Sequence, residues 1–498
     1  MNDGATPSPA PESREDQREV RVQKLARLRD AGINPYPERF DRTHLLAEAQ
    51  SLPPGTKPVR VSGRLMTVRV MGKLSFATLS DVSGRCQISV QRDDVGEAFY
   101  RDVWKKLIDL GDFVGVEGEA YVTNAGEPTI RASSITFLGK TLRPLPEKWH
   151  GLSDRETCYR QRYLDLAMNR ETLERFLLRS RIVKSMRTFL EEHRFVEIDT
   201  PALAPKASGA AARPFKSRHH ALDMEVFLRI APETYLKRAV VGGFDRVFEF
   251  ARCFRNEGMD PSHLQDFTML EWYAAYWNYE DNMRFTQALV QHVVRETLGT
   301  TRMTLRGREV DFGGEWPRYG FRDLILRDAG IDIDAFPDAD ALRAEIRRRG
   351  VELEDVDDLG RGNLIDQLYK KVSRPKLVGP AFLTEHPVDL SPLARRNDAR
   401  PQVCDRFQLV VAGWEIVNAY SELVDPLDQR RRFEEQARLK ESGDEEAMDM
   451  DEDYLLAMEH GMPPMSGFGL GIDRFCCLLS DQDNLRDVVL FPLMRPRD

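Results

Sequence analysis

A chain of 498 residues is too long for one compact core, and a net charge of −9, from 72 Lys plus Arg against 81 Asp plus Glu, speaks against a protein that binds nucleic acid over its whole surface while leaving room for a local basic patch. Hydrophobic residues at 41% and charged residues at 31% are the proportions of a soluble globular protein, and no apolar run has the length of a membrane helix or a signal-peptide core. The six cysteines (Cys86, Cys158, Cys253, Cys404, Cys476, Cys477) show neither C-x-x-C spacing nor a nearby histidine ladder, which argues against a zinc site or disulfide framework and for a reducing cytosol. The expectation is a cytoplasmic protein of two or three domains.

Residues 1–17, rich in Pro, Ser and acidic residues, read as a disordered tail. Residues 18–58 read as a helical extension. Arg14, Arg18, Arg21 and Lys24 recur at helical spacing beside an apolar stripe of Val22, Leu25 and Leu28, so a basic face is expected. That face suits plain solvation and an RNA-touching arm equally well. Over residues 59–143 the texture changes to five short β-like runs, among them VRVSGRLMTVRV, LSFATLSDV and RCQISVQ, with turn signals at Ser83-Gly84 and Ala125-Gly126. With a helical stretch over 96–110 after the third run, they predict a small closed barrel of the OB type, a fold that binds single-stranded nucleic acid or oligosaccharide. Phe76, on the second run, is a candidate stacking face for an unpaired base, although a lone Phe in a strand fits a core position as well.

The Pro- and Trp-bearing stretch RPLPEKWHGL reads as a linker into a second domain, 144–498. A helix over 171–193 leads to a strand that breaks at Pro201. Further strands are expected at MEVFLRIA, RVFEF and DFTMLEWYAAY, and two more in VCDRFQLVVAGWEIVNAYSELVD. A last strand passes through a Gly-rich bend into a helix at MSGFGLGIDRFCCLL. Hairpins and loops join these strands, without regular β-α-β alternation, so an antiparallel sheet flanked by helices is predicted. Residues from about 319 to 376 are polar and helical in pattern, which marks an insertion. The fold class is α+β.

Two stretches carry chemistry. In RCFRNEG, two arginines, Arg252 and Arg255, stand where a strand gives way to a loop; they are either solvated charges or a clamp for a ligand rich in anionic oxygens. GFGLGID lacks both the G-x-G-x-x-G spacing and the Lys-Ser/Thr of a P-loop, so backbone crowding accounts for its glycines as readily as nucleotide binding does. Arg474 follows it at a helix start, where backbone N–H groups and a guanidinium face one ligand.

FVEIDTPAL, FRNEG with DFTMLEWY, and GLGIDR resemble motifs 1, 2 and 3 of class II aminoacyl-tRNA synthetases. RPLPEKWHGL, LRIAPETYLKR, VVGGFDRVFEF, SPLARRND, YSELVDP and RDVVLFPLMRP bring the resemblance to the class II lysyl-tRNA synthetases of bacterial type, over nearly all of residues 59–496 and in the right order. The resemblance implies an N-terminal OB-type anticodon-binding barrel, then a class II antiparallel-sheet catalytic domain, in a homodimer paired through the helix at 171–193. It implies activation of L-lysine by ATP and transfer to the 3′ end of tRNA(Lys). Arg255 and Arg474 are then the catalytic pair; Arg255, Glu257, His263, Phe267 and Arg474 hold ATP; and Glu233, Arg255, Glu271, Tyr273, Asn418, Tyr420 and Glu422 hold lysine. Arg69, Phe76, Gln87 and Glu127 contact the anticodon. The Mg²⁺ carried with ATP falls to Glu415 and Gln408, where the family has two carboxylates; an amide coordinates without adding charge. Ala419 and Tyr420 also depart from the family's usual Gly and Phe. A relative that lysylates another acceptor, or a binding protein on the same scaffold, remains open; the intact clamp residues and the barrel speak against both.

Overall fold

The computed structural model describes residues 14–146, 152–210, 212–354, 356–357, 359–441, 448 and 450–496. The chain forms two compact units, one running to Arg155 and including Tyr163–Asn169, the other holding Glu156–Arg162 and everything from Arg170 on. Residues 147–151 of the expected linker and 1–13 of the expected tail lie outside the described residues.

The first helix, Arg14–Asp30, starts earlier than expected, so residues 14–17 belong to it and not to a tail. Glu15 and Asp16 occupy its first turn and Arg27 and Arg29 its last, the charge order a helix dipole favours. Its basic face is partly spent on the fold. Arg21 Nη1 donates to the Leu110 and Thr141 carbonyls at 3.2 Å, and Lys24 Nζ lies 2.6 Å from Asp109 Oδ1. Asp109 and Asp112 also hold the buried Lys140 ammonium, at 2.5 and 2.8 Å.

Five strands follow: Val59–Met71, Leu74–Ser80, Arg85–Gln91, Phe113–Val122 and Pro128–Gly139. The first pairs with both the second and the fourth, and the third lies parallel to the fifth, so the ring closes on itself. Each strand alternates, sending Val59, Val61, Leu79, Ile88, Val90, Val114, Val116 and Ile130 inward. The helical stretch expected over 96–110 is instead a four-residue helix, Arg92–Val95, and a wide π-helical turn, Phe99–Trp104. Gly96, at φ +90°, separates the two, and the turn delivers Tyr100 and Trp104 to the barrel core.

The second unit is built on an eight-stranded sheet in the order Arg318–Gly320, Ala381–Pro387, Val403–Val411, Trp414–Ser421, Met465–Gly471, Asp266–Ala275, Arg246–Phe254, Val196–Glu197. The six central strands are antiparallel, as expected, but both edge strands lie parallel to their neighbours. The reason is the connection. Helices separate each edge strand from its partner in sequence, and such crossovers permit parallel pairing where hairpins do not. The MEVFLRIA run leaves this sheet for a small three-stranded one with Leu203–Ala204 and Lys216–His219. Helices Arg170–Glu192 and Tyr279–Leu298 cover one face of the main sheet, burying Ile182, Met186, Phe189, Leu289, Val290 and Val293 against Leu270 and Trp272. Trp272 stacks on Phe468 with ring centres 3.4 Å apart. Between Arg318–Gly320 and Ala381–Pro387 runs the expected helical insertion, with a core of its own around Leu324, Ile325, Leu342, Leu364 and Leu368. Among the described residues no helix is long and apolar enough to cross a membrane.

Candidate functional site

Period-two alternation makes the site. On the strand Asp266–Ala275, Leu270 and Trp272 point into the helix-covered core, while Phe267, Met269, Glu271 and Tyr273 point to the other face, where they line a cavity of about 440 Å³. The neighbouring strands add Asn418 and Tyr420, Gly467 and Gly469, and Arg406.

One group of residues is cationic. Arg255, just past the strand Arg246–Phe254, lines the cavity with its guanidinium carbon 5.1 Å from the Phe267 ring centre, and its Nε is buried without a hydrogen-bond partner. Arg474, in the first turn of the helix Ile472–Leu479, donates to His263 Nε2 at 3.0 Å. A guanidinium can only donate, so His263 carries its ring proton on Nδ1, 2.8 Å from Asp260 Oδ2. Burial lowers the Arg474 pKa, and the charges of Arg255 and Arg374 add to this against the pull of Glu415. Cations crowded in this way, with an orphaned N–H, form a receptor for an anion. Arg252 is outside it: exposed, it pairs with Asp266 at 2.6 Å and donates to Thr268. The arginines that line the cavity are therefore Arg255 and Arg474, not Arg252. Glu257 lines the same cavity, its carbonyl accepting from Gln265.

The other group is acidic and deeply buried. Glu233 opens the helix Glu233–Val241; Glu271 and Tyr273 come from the Asp266–Ala275 strand, Tyr420 from Trp414–Ser421, and Glu422 just after it. Glu233, Glu271, Tyr273 and Tyr420 line the cavity, and Glu422 is wholly buried next to them, against the cavity residue Gly467. Gly467 explains how it fits there. A Cβ at 467 would lie 2.2 Å from Glu422 Oε1 and 2.4 Å from Tyr273 Cε1, so only glycine leaves room for both. Burial pushes the Glu422 carboxyl up to about 8, with Glu233 adding to the rise and Lys237 opposing it. Burial and the Glu233 charge likewise raise Glu271 well above the ordinary carboxylate range.

Sequence reasoning missed four members of this site. Lys237 Nζ lies 2.5 Å from both Glu233 Oε1 and Glu422 Oε2; the i, i+4 spacing of ETYLK was the available signal. Arg406 donates to Asn418 Oδ1 at 2.8 Å and so fixes that amide in the cavity wall. Asp473 accepts from Thr268 N at 2.8 Å and pairs with Arg179 at 2.7 Å, tying the strand that carries Phe267 to the turn that carries Arg474.

The two expected metal ligands separate. Glu415 lines the cavity beside Arg474, while Gln408 is buried on the adjacent strand and does not line it. Among the described residues no three His, Cys, Asp or Glu side chains form a metal cage.

On the barrel, Arg69 lies opposite Phe76 across one strand pair, and Gln87 opposite Thr78 across the next. Phe76 and Gln87 are half-buried on the outer surface, Arg69 and Glu127 exposed. Gln87 donates to Thr129 Oγ1 at 2.9 Å, which orients its amide, and Glu127 lies two residues before Thr129. Arg69, Phe76 and Gln87 thus lie on neighbouring strands, and Glu127 is exposed in the turn that leads to Thr129.

Comparison with known proteins follows the same division. Residues 59–138 match the family described as OB-fold nucleic acid binding domain, and residues 154–495 match tRNA synthetases class II (D, K and N). The chain is 46% identical over 483 residues to a lysine–tRNA ligase of Carboxydothermus hydrogenoformans, covering 96% of this chain and 98% of the relative. It is 45% identical over 490 residues to that of Moorella thermoacetica (98% and 99% covered), and 47% over 485 to that of Aromatoleum aromaticum (95% and 96%). With the class II match spanning most of its length and these relatives covered almost end to end, the chain belongs to the class II aminoacyl-tRNA synthetases of the D, K and N group.

Proposed function

We propose that this chain is a lysine–tRNA ligase, acting in the cytoplasm in protein synthesis. Its family includes enzymes for aspartate, lysine and asparagine, so the choice among them rests on the pocket. The observation that carries the reading is the buried trio Glu233, Glu271 and Glu422, two lining the cavity and the third packed against its Gly467. An aspartate side chain would meet like charge there, and an asparagine amide would bring no cation to the carboxylate oxygens that Lys237 does not hold. A primary ammonium satisfies them.

In the first step a lysine carboxylate oxygen attacks the α-phosphorus of ATP; the bond to the bridging oxygen breaks and pyrophosphate leaves. Negative charge builds on the α-phosphate, and no protein nucleophile is needed. Arg255 takes the α-phosphate and the substrate carboxylate, its unpartnered Nε supplying a free donor. Arg474 and His263, already linked, meet the terminal phosphates. Phe267 stacks on adenine and Glu257 accepts from its amino group. Asn418, oriented by Arg406, adds a polar contact to lysine. Glu415 is the carboxylate that would hold Mg²⁺ brought with the nucleotide, and the ion would neutralise phosphate charge. In the second step the 3′-terminal hydroxyl of tRNA(Lys) takes the lysyl group and AMP leaves.

The barrel face reads the anticodon, with Phe76 stacking on a base, Gln87 meeting a base edge, and Arg69 and Glu127 completing the contact set. The helix Arg170–Glu192 pairs two copies across a two-fold axis. Charging assays test the function: radiolabelled lysine should become acid-precipitable with tRNA(Lys) and not without it. Label transfer to another acceptor, with none to tRNA, would overturn the assignment.

A further inference from the structure

Lys237 is the one charged member of the acidic cluster with no task in this reaction. Its side chain is wholly buried, four residues after Glu233 on the same helix face. Besides its two carboxylate contacts, its ammonium sits 5.7 Å from each of the Tyr273, Tyr420 and Tyr454 ring centres. Burial favours loss of its proton, but Glu233 and Glu422 outweigh burial and raise its pKa well above that of an ordinary lysine. It is a permanent resident cation.

The atoms it takes matter more than its charge. Lys237 binds Oε1 of Glu233, and the Tyr420 hydroxyl donates to that same oxygen at 2.9 Å. Glu233 Oε2 has no partner among the described residues. Lys237 also pairs with Oε2 of Glu422. Both Glu422 oxygens are buried without a hydrogen bond of good geometry; Oε2 is held by the Lys237 ion pair, the Gly467 N–H lies near the carboxylate, and Oε1 has no cation of its own. A buried carboxylate oxygen without a donor marks a place where a donor belongs. Each glutamate therefore has one oxygen engaged and one open.

We infer that Lys237 is a positioning residue for amino-acid selection, taking one oxygen from each of Glu233 and Glu422 so that the other two stand at a fixed separation to receive the substrate ammonium. This rests on the assignment of Glu233 and Glu422 to the lysine subsite. Fixed acceptors also select chain length, because an ammonium one methylene short cannot reach both oxygens. The Tyr420 hydroxyl, absent where the family has Phe, is a second anchor on Glu233 Oε1.

The test is ATP–pyrophosphate exchange with full-length Lys237→Met, in which shape is nearly kept and the charge is lost. The KM for lysine is expected to rise about tenfold or more while the KM for ATP stays within about twofold, and the preference for lysine over ornithine is expected to shrink. Should unpaired carboxylates prevent folding, Lys237→Met/Glu422→Gln removes the buried pair together. Its lysine KM should exceed that of Glu422→Gln alone, because Glu233 has lost its anchor too. Unchanged lysine KM and ornithine discrimination in Lys237→Met, or equality of the double variant with Glu422→Gln, would overturn the inference, as would equal losses for ATP and lysine. An unchanged lysine KM in Glu233→Gln would instead remove the subsite assignment itself.

Discussion

On the proposed function, the cavity and the barrel face would recognise their ligands under opposite conditions. In the cavity the decisive groups are buried carboxylates with raised pKa values, an engaged resident lysine and unpartnered polar atoms on Arg255 and Glu422. On the barrel they are half-buried or exposed, and Gln87 is already satisfied by Thr129. The contrast follows from the ligands. Selecting one ammonium requires charge held away from water, where an unmatched partner costs most. Reading a splayed base requires only a flat apolar face and oriented edge donors, which survive in solvent. The cavity should therefore be intolerant of small steric and electrostatic changes, the barrel forgiving.

The largest effect is expected at Gly467. An alanine Cβ there would overlap Glu422 Oε1 and Tyr273, so lysine-dependent exchange should fall about 100-fold in kcat/KM, in line with overpacking of a rigid site. A near-normal rate in Gly467→Ala would show that the cavity yields as easily as the barrel. Next is pH. Burial raises the Glu422 carboxyl to about 8 and Glu271 well upward; Glu233, Lys237, Tyr273, Tyr420 and Tyr454 are the other titratable groups around them. Raised carboxylates are neutral at the acidic end, and the substrate ammonium binds the charged form. Affinity for lysine should accordingly rise about tenfold between pH 6.5 and 8.5, with no comparable change in tRNA binding. A flat lysine profile would dissolve the contrast.

Third, Phe76→Ala should cost about 1–3 kcal/mol of tRNA binding, the usual worth of one stacked base. That loss belongs to the charging step, since exchange measured without tRNA reads the other unit alone. An unchanged KM for tRNA would take the anticodon role from Phe76. Smallest is Arg252→Ala, which removes only an exposed pair with Asp266 and should leave exchange within about twofold, against a collapse in Arg255→Ala. Equal losses would return Arg252 to the clamp.

Much of this arrangement was legible as pattern. Short β-like runs gave the barrel strands, and the resemblance gave Phe267, Glu271 and Tyr273, which one strand face aims into one cavity. Residue identities at the strand ends gave Arg255 and Arg474. What stayed hidden depended on contacts remote in sequence. Parallel pairing at both sheet edges is set by crossovers, not by the residues of two- and three-residue strands. Glu422 came from the resemblance of YSEL to the family's lysine-pocket motif, which did not show that its carboxylate is wholly buried and held by Lys237. Gln408 read as a degraded metal ligand, while the fold keeps it out of the cavity. Lys237 lay among apolar helix positions, where its i, i+4 relation to Glu233 was visible but its second partner, Glu422, was not.

The central claim is that three buried carboxylates select an ammonium side chain. ATP–pyrophosphate exchange with the full-length protein and each of the twenty amino acids, at neutral pH and without tRNA, tests it most directly. Lysine is expected to support exchange, with aspartate and asparagine at background. Exchange supported by aspartate or asparagine, with lysine silent, would contradict the account.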